Sequence, residues 1–222
     1  EEACTLPTAW STVHSALGLA RCAGGRFLLV HAGAGGVGLA AAEYACWLCS
    51  RVATTAGRPH KHRWVRCVGA RRAASSREAP SFAAASALLR GARLDAVLNS
   101  LSHDFIAVSF ALVGRPGCFA EIGKRGAWGA MRQSSAAPCA QYEVLALDHT
   151  MEREPLCIQI ALSQLSARAG AGVSHGLPLR CFDLERGAVV AAFRCLQGGR
   201  NTGKVVVRVP WLVEVPARPV ST

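Results

Sequence analysis

Apolar runs of strand length recur along the chain, with segments of helical length between them. The runs fall at 26–32 (RFLLVHA), 51–56, about 68–74, 94–99 and 117–122, and helix candidates lie between them at 36–49, 59–67, 80–90 and 103–113. A further helix opens the chain, from about Ala9 to Ala20. Mostly apolar runs of this length suit strands buried on both faces, and their alternation with helices implies a parallel sheet covered on both sides. The pattern predicts an α/β fold with a doubly wound parallel sheet, the Rossmann type, and ligands beyond the carboxyl ends of the strands. Residues 124–141 (KRGAWGAMRQSSAAPCAQ) have loop composition and break the alternation. A strand at 142–148 (YEVLALD), helices from about Glu154 to Arg168 and from Leu184 to Leu196, and a final strand KVVVRV follow. The boundaries expected are a nucleotide-binding core with its linking helix at 1–148, a completing segment at 149–210, and a tail or linker at 211–222.

The first strand runs directly into closely spaced glycines and then a helix. Gly33, Gly35 and Gly38 fit the G-x-G-x-x-G spacing, in which the glycines provide a tight turn, close approach of backbone to pyrophosphate and close packing of helix on strand. With Ala34, Gly36 and Val37 they make a phosphate cradle, and the helix starting near Gly36 points free N–H groups and a positive dipole end at it. Sites for the non-phosphorylated dinucleotide carry an acid near the end of the second strand, about twenty residues on, whereas phosphorylated ones put cations there. Here Thr54, Thr55, Ala56, Gly57 and Arg58 are followed by His60 and Lys61, with no acid. The charge pattern predicts NADPH, with Thr55 and Lys61 on its ribose phosphate side.

The 51% hydrophobic content suits one sizeable core, and apolar runs end well before the roughly 20 residues a membrane span needs. The opening EEACTLPTAW has no signal-peptide pattern, so a soluble cytoplasmic protein is expected, or a plastid one in a eukaryote, with no membrane partner. The ten cysteines are scattered and read as small buried hydrophobes rather than a disulfide scaffold. Cys46 and Cys49 form the one C-x-x-C, well inside a helix and without a second pair at zinc spacing, so no metal is predicted. The net charge of +11 comes from 22 Arg and 3 Lys, and much of the excess lies between Arg51 and Arg77. Without stacking aromatics or a helix-turn-helix it reads as a solvated face, not a nucleic-acid surface.

Several strings in order, LLVHAGAGGVGLAA, TTAG with Lys61 following, GAR with ASSRE, DAVLNSLSHDFI, CFAEIGKRGAW, YEVLALD and GRNTGKVVV, carry a family resemblance. The chain resembles, over about residues 1–210, the enoyl reductase domain of polyketide and animal-type fatty acid synthases, in the medium-chain dehydrogenase/reductase superfamily. The resemblance implies NADPH-dependent reduction of the double bond of a 2-enoyl thioester on an acyl carrier protein, alongside other synthase domains. It implies proton handling by Lys124 and Asp148, and a nicotinamide side formed by Asn99, Ser100, Leu101 and Gly123. Lys204 matches the family's G-K-V-V strand, where cofactor contact and sheet-edge packing are both open readings. Family members carry a substrate-binding lobe of roughly a hundred residues before the equivalent of TLPTAW, an ordinary domain size. This chain begins where the linking helix should be, so it is expected to be a segment of a larger synthase holding only a C-terminal remnant of the catalytic lobe. Two alternatives stay open, a quinone-oxidoreductase-like NADPH enzyme and a non-catalytic nucleotide-fold module. The final strand could also pair with its copy in a homodimer, since an unpaired edge invites such pairing.

Overall fold

Glycine turns and short β-branched or alanine-rich runs set the order of elements in the computed structural model, which describes residues 1–86 and 91–210. A short 3-10 turn leads into α1 (Pro7–Leu19), and β1 (Phe27–Val30), α2 (Gly36–Trp47), β2 (Arg51–Ala56), α3 (Pro59–Cys67) and β3 (Arg72–Ser75) follow. Next come α4 (Ala79–Ser86), β4 (Leu94–Asn99), α5 (Asp104–Leu112), β5 (Val113–Glu121), α6 (Ala130–Ala136) and β6 (Ala140–Val144). The chain continues through α7 (Leu147–Arg153), α8 (Pro155–Gly170), β7 (Leu179–Asp183), α9 (Arg186–Gln197) and β8 (Lys204–Arg208).

Six strands form one sheet in the order β3-β2-β1-β4-β5-β6, every neighbouring pair parallel. The chain winds outward from β1 through β2 and β3, then returns to β4 and winds the other way, so the crossover point lies between β1 and β4. Successive side chains of β1 serve two cores. Leu28 and Val30 pack with Val13 and Leu17 of α1 and with Leu39, Ala41 and Ala45 of α2, while Phe27 and Leu29 pack with Phe82, Ile106 and Phe110. The small alanines let α2 lie close to the sheet, and the aromatic residues fill the deeper gap on the other side.

The doubly wound reading holds, with instructive shifts. The third strand begins at Arg72 because Gly69, at φ +101°, turns the chain at the end of α3 and Ala70 is spent in the core. The loop expected at 124–141 contains α6, whose side chains are all at least partly exposed and so leave no apolar stripe to read. The strand expected to run to Asp148 ends at Val144, and Asp148 lies in the first turn of α7. The helix expected at 80–90 passes beyond the described residues after Ser86, and the tail at 211–222 lies outside them. The final strand is paired on one side by β7, unforeseen, in parallel from Leu179↔Lys204 to Asp183↔Arg208, and among the described residues its other side carries no strand. Together β7, α9 and β8 make a small second sheet with its own crossover helix.

Candidate active site

After Val30 the chain turns through Ala32, which adopts a left-handed φ of +50°, and enters α2 at Gly36. Gly33 N donates to Thr55 O (2.8 Å) and Gly35 N to Ala32 O (2.9 Å). The glycines have separable reasons. A Cβ on Gly33 would overlap Thr54 Oγ1, which donates to Val30 O at 2.8 Å, and a Cβ on Gly38 would lie 2.5 Å from Gly33 Cα. These two allow the sheet, turn and helix to touch. A Cβ on Gly36 would instead meet Lys204 Cε at 2.6 Å, so the Lys204 stem lies across the start of α2. Gly35 caps the helix in an extended conformation, and the first N–H groups of α2, on Gly36, Val37 and Gly38, have no partner within the helix.

The second sheet reaches this cradle through the turn before β8. Gly203 N donates to Ala34 O (2.8 Å), Gly203 pairs with Gly35 in an isolated parallel bridge, and Lys204 N donates to Pro178 O. Beneath the turn, His31 is buried with Nδ1 3.0 Å from Thr55 Oγ1 and Nε2 2.7 Å from Ser109 Oγ, against the rings of Phe82 and Phe105. Burial drives its pKa down to about 3, so it is a neutral hydrogen-bonded core histidine. Thr55 Oγ1 also accepts from Ala32 N at 3.1 Å. Its hydroxyl is therefore engaged by His31 and by the turn it supports from below.

Lys61 has protein partners that the charge pattern did not reveal. Its side chain is buried at 7% exposure and donates to the carbonyls of Gly199 (2.9 Å) and Asn201, so the ammonium holds the turn before β8 instead of standing free. Burial first, then the neighbouring charges of Arg58 and Arg77, lowers its pKa from the ordinary lysine value. Arg77 is the group sequence reasoning passed over. Its Nε would lie 3.0 Å from a Cβ on Gly57 at the end of β2, and Nη2 donates to Gly198 O at 3.4 Å. Lys61, Arg58 and Arg77 thus form a cationic corner at the carboxyl end of β2, beside an open cleft of about 550 Å³ lined by Ser76, Arg77, Leu101, Ser102, His103 and Phe105.

Across the crossover point, Asn99 Oδ1 accepts from Leu101 N (3.2 Å), and Nδ2 donates to Leu101 O (2.7 Å) and to Glu121 Oε2 (2.6 Å). Glu121 Oε1 accepts from Gly123 N at 2.6 Å. Asn99, Leu101 and Gly123 are therefore brought together, with Ser100 between the first two, and the carboxylate joining them was not singled out from the sequence. Glu121 is 1% exposed, and burial raises its pKa against the lowering effect of the Asn99 and Gly123 hydrogen bonds. An acid at the inward end of a strand, one residue before a glycine-containing turn, was the available signal. Immediately beyond Gly123, Lys124 Nζ meets Asp148 Oδ2 at 2.8 Å. The two side chains are 78% and 63% exposed, and the hydrogen bond from Lys124 holds the Asp148 carboxyl below the ordinary carboxylate range. The structure brings this pair together at the carboxyl edge.

Comparisons with known proteins place the chain in a family and among solved folds. Residues 68–207 match the family model described as zinc-binding dehydrogenase. Over 94% of its length the chain is 30% identical to a subunit of the phenolphthiocerol/phthiocerol polyketide synthase of Mycobacterium tuberculosis, of which it spans 10%. The CurK enoyl reductase structure superposes with a TM-score of 0.87 at 32% identity, over 95% of this chain and 63% of that one. The quinone oxidoreductase of Thermus thermophilus, solved also as its complex with NADPH, gives 0.75 at 30% identity over 94% and 66%. The chain thus spans a small part of its polyketide synthase relative and somewhat under two thirds of the enoyl reductase. Among the described residues no group of three or more His, Cys, Asp and Glu side chains could hold a metal ion, so no zinc-dependent step is derived.

Proposed function

The chain belongs to the zinc-binding dehydrogenase family, and from that premise we propose that it is the nucleotide-holding segment of an enoyl reductase of a polyketide or fatty acid synthase. The reaction is reduction of the 2,3 double bond of an enoyl thioester carried on an acyl carrier protein. The observation that carries the proposal is the Lys124–Asp148 pair, directly after Gly123 at the carboxyl edge of a sheet whose first turn fits a dinucleotide. The likeness to the CurK enoyl reductase over nearly the whole chain supports it.

The residues present fit NADPH. Gly33 to Gly38 would hold the pyrophosphate at the start of α2, Lys204 lies across that start, and Arg77 with Arg58 and Lys61 would give the 2′-phosphate a cationic corner. Asn99, Ser100, Leu101 and Gly123, held together through Asn99 and Glu121, would present backbone to the nicotinamide. When bound, NADPH supplies a hydride to the β carbon of the enoyl thioester. Lys124, paired with the ionised Asp148, steadies negative charge on the thioester oxygen and delivers a proton to the α carbon, after which Asp148 orients its reprotonation from water. Both side chains are exposed, so the low-dielectric setting that makes such a charge effective has to come from the substrate and from the part of the reductase that the chain does not cover.

Titration of the chain with NADPH and NADH, followed by tryptophan fluorescence, tests the cofactor half. Saturable binding selective for NADPH is expected, and equal binding of both overturns the cationic-corner assignment. A full reductase carrying this segment should oxidise NADPH faster with a crotonyl pantetheine thioester than with 1,4-benzoquinone. The reverse preference favours the quinone reductase reading, which the Thermus structure supports.

A further inference from the structure

At the amino ends of the strands, opposite the cradle, a cavity of about 490 Å³ opens on the sheet face covered by α4 and α5. Its lining, among the described residues, divides by chemistry. Phe27, Leu29, Ala53, Phe82, Leu94 and Leu112 make an apolar floor, and four arginines, Arg51, Arg66, Arg71 and Arg72, make the rim. Strand register fixes part of this arrangement. Arg51 pairs with Phe27 and Arg72 with Ala53, and paired residues of parallel strands share a face, so both arginines stand on the apolar side of the sheet. The Arg51 guanidinium lies 5.0 Å from the centre of the Phe27 ring.

All four arginines are exposed, and among the described residues none of them forms an ion pair with an acid. Four like charges around an apolar hollow repel one another, and an anion seated among them relieves the repulsion. The volume lies within the range of small-molecule sites, and the mix of an apolar floor with guanidinium forks suits one class of ligand. We propose that this cavity binds an amphipathic anion, an aliphatic chain ending in a carboxylate, with the chain on Phe27, Leu29 and Phe82 and the head group between Arg51 and Arg72. The site lies across the sheet's length from the cradle and is independent of the proposed reaction.

The test titrates the whole chain with sodium decanoate below its micelle concentration, by calorimetry and by 1H–15N spectra, with 1-decanol and inorganic phosphate as matched arms. Decanoate should bind one to one, moving the amides of Phe27, Ala53, Ala74 and Leu94, and each matched arm should bind at least about tenfold more weakly. Arg51→Gln with Arg72→Gln should weaken decanoate about tenfold or more and leave 1-decanol unchanged, the alcohol reporting that the cavity is intact. Phosphate binding as tightly as decanoate would reduce the site to a basic surface. Equal binding of 1-decanol would show that the arginines read no head group. Absence of decanoate binding, or shifts gathered at Gly33–Gly38 instead, overturns the proposal.

Discussion

The cradle at β1 and the Lys124–Asp148 pair lie at the same edge of one sheet but are built on opposite terms. At the cradle every feature rests on another: Gly38 on Gly33, Gly33 on Thr54, Thr55 on His31, and Gly203 on Ala34. The pair has one close ion contact and little cover. The difference teaches that the cradle proposed for the nucleotide is finished by the chain's own packing, whereas the chemistry proposed for the pair depends on what encloses it.

The largest effect should come from breaking the finished side. Gly38→Ala forces a methyl against the Gly33 backbone, which should destabilise the fold by about 1–3 kcal/mol and weaken NADPH at least about a hundredfold. Thermal unfolding and fluorescence titration measure the two losses, and near-normal affinity would show that the turn can yield. Glu121→Gln comes next. It places an amide donor against Asn99 Nδ2 or Gly123 N, leaving a buried donor without its acceptor at a cost of about 1–3 kcal/mol. Its pH signature has a definite sign. Because burial raises the Glu121 pKa in the folded chain, the unfolded chain releases that proton first, and stability falls as pH rises from the ordinary glutamate value through the raised one. Glu121→Gln should flatten that fall in unfolding curves taken across the acid range.

A smaller, selective effect belongs to Arg77→Glu, which should weaken NADPH about tenfold relative to NADH while Lys61 keeps its carbonyl contacts. Equal loss for both nucleotides would move the 2′-phosphate elsewhere. Smallest is Lys124→Ala. The melting temperature and NADPH affinity should stay unchanged, while the Asp148 carboxyl, freed of its partner, should titrate at higher pH in carbon-detected spectra. If Lys124→Ala instead cost as much stability as Gly38→Ala, the contrast between the two regions would fail.

What was legible in the sequence follows the same division. The inner strands β1, β2, β4 and β5 announce themselves because burial on both faces demands apolar runs, and Gly33, Gly35 and Gly38 stand at a spacing few turns need. The Lys124–Asp148 pairing came through resemblance, since 24 residues of sequence separate the two and no local pattern joins them. The side chains of Lys61 and Thr55 meet Gly199, Asn201 and His31, partners that no reading of local charge reveals. Strand β7 went unseen because LRCFD is short, its residues are partly exposed, and its alternation is blurred by Arg180 and Phe182.

Thr54 and Gly33 illustrate a constraint that reaches beyond one molecule. The Thr54 hydroxyl occupies the volume that any side chain at 33 would need, and its Cβ lies 2.9 Å from the place of the first added carbon. Trimming the hydroxyl alone would not make room, so acceptance of a larger residue at 33 requires change at 54 and a shift of β2 as well. Mutational drift should find the two positions locked together, each narrowing what its neighbour can become, as residues in direct contact do when their effects cease to add.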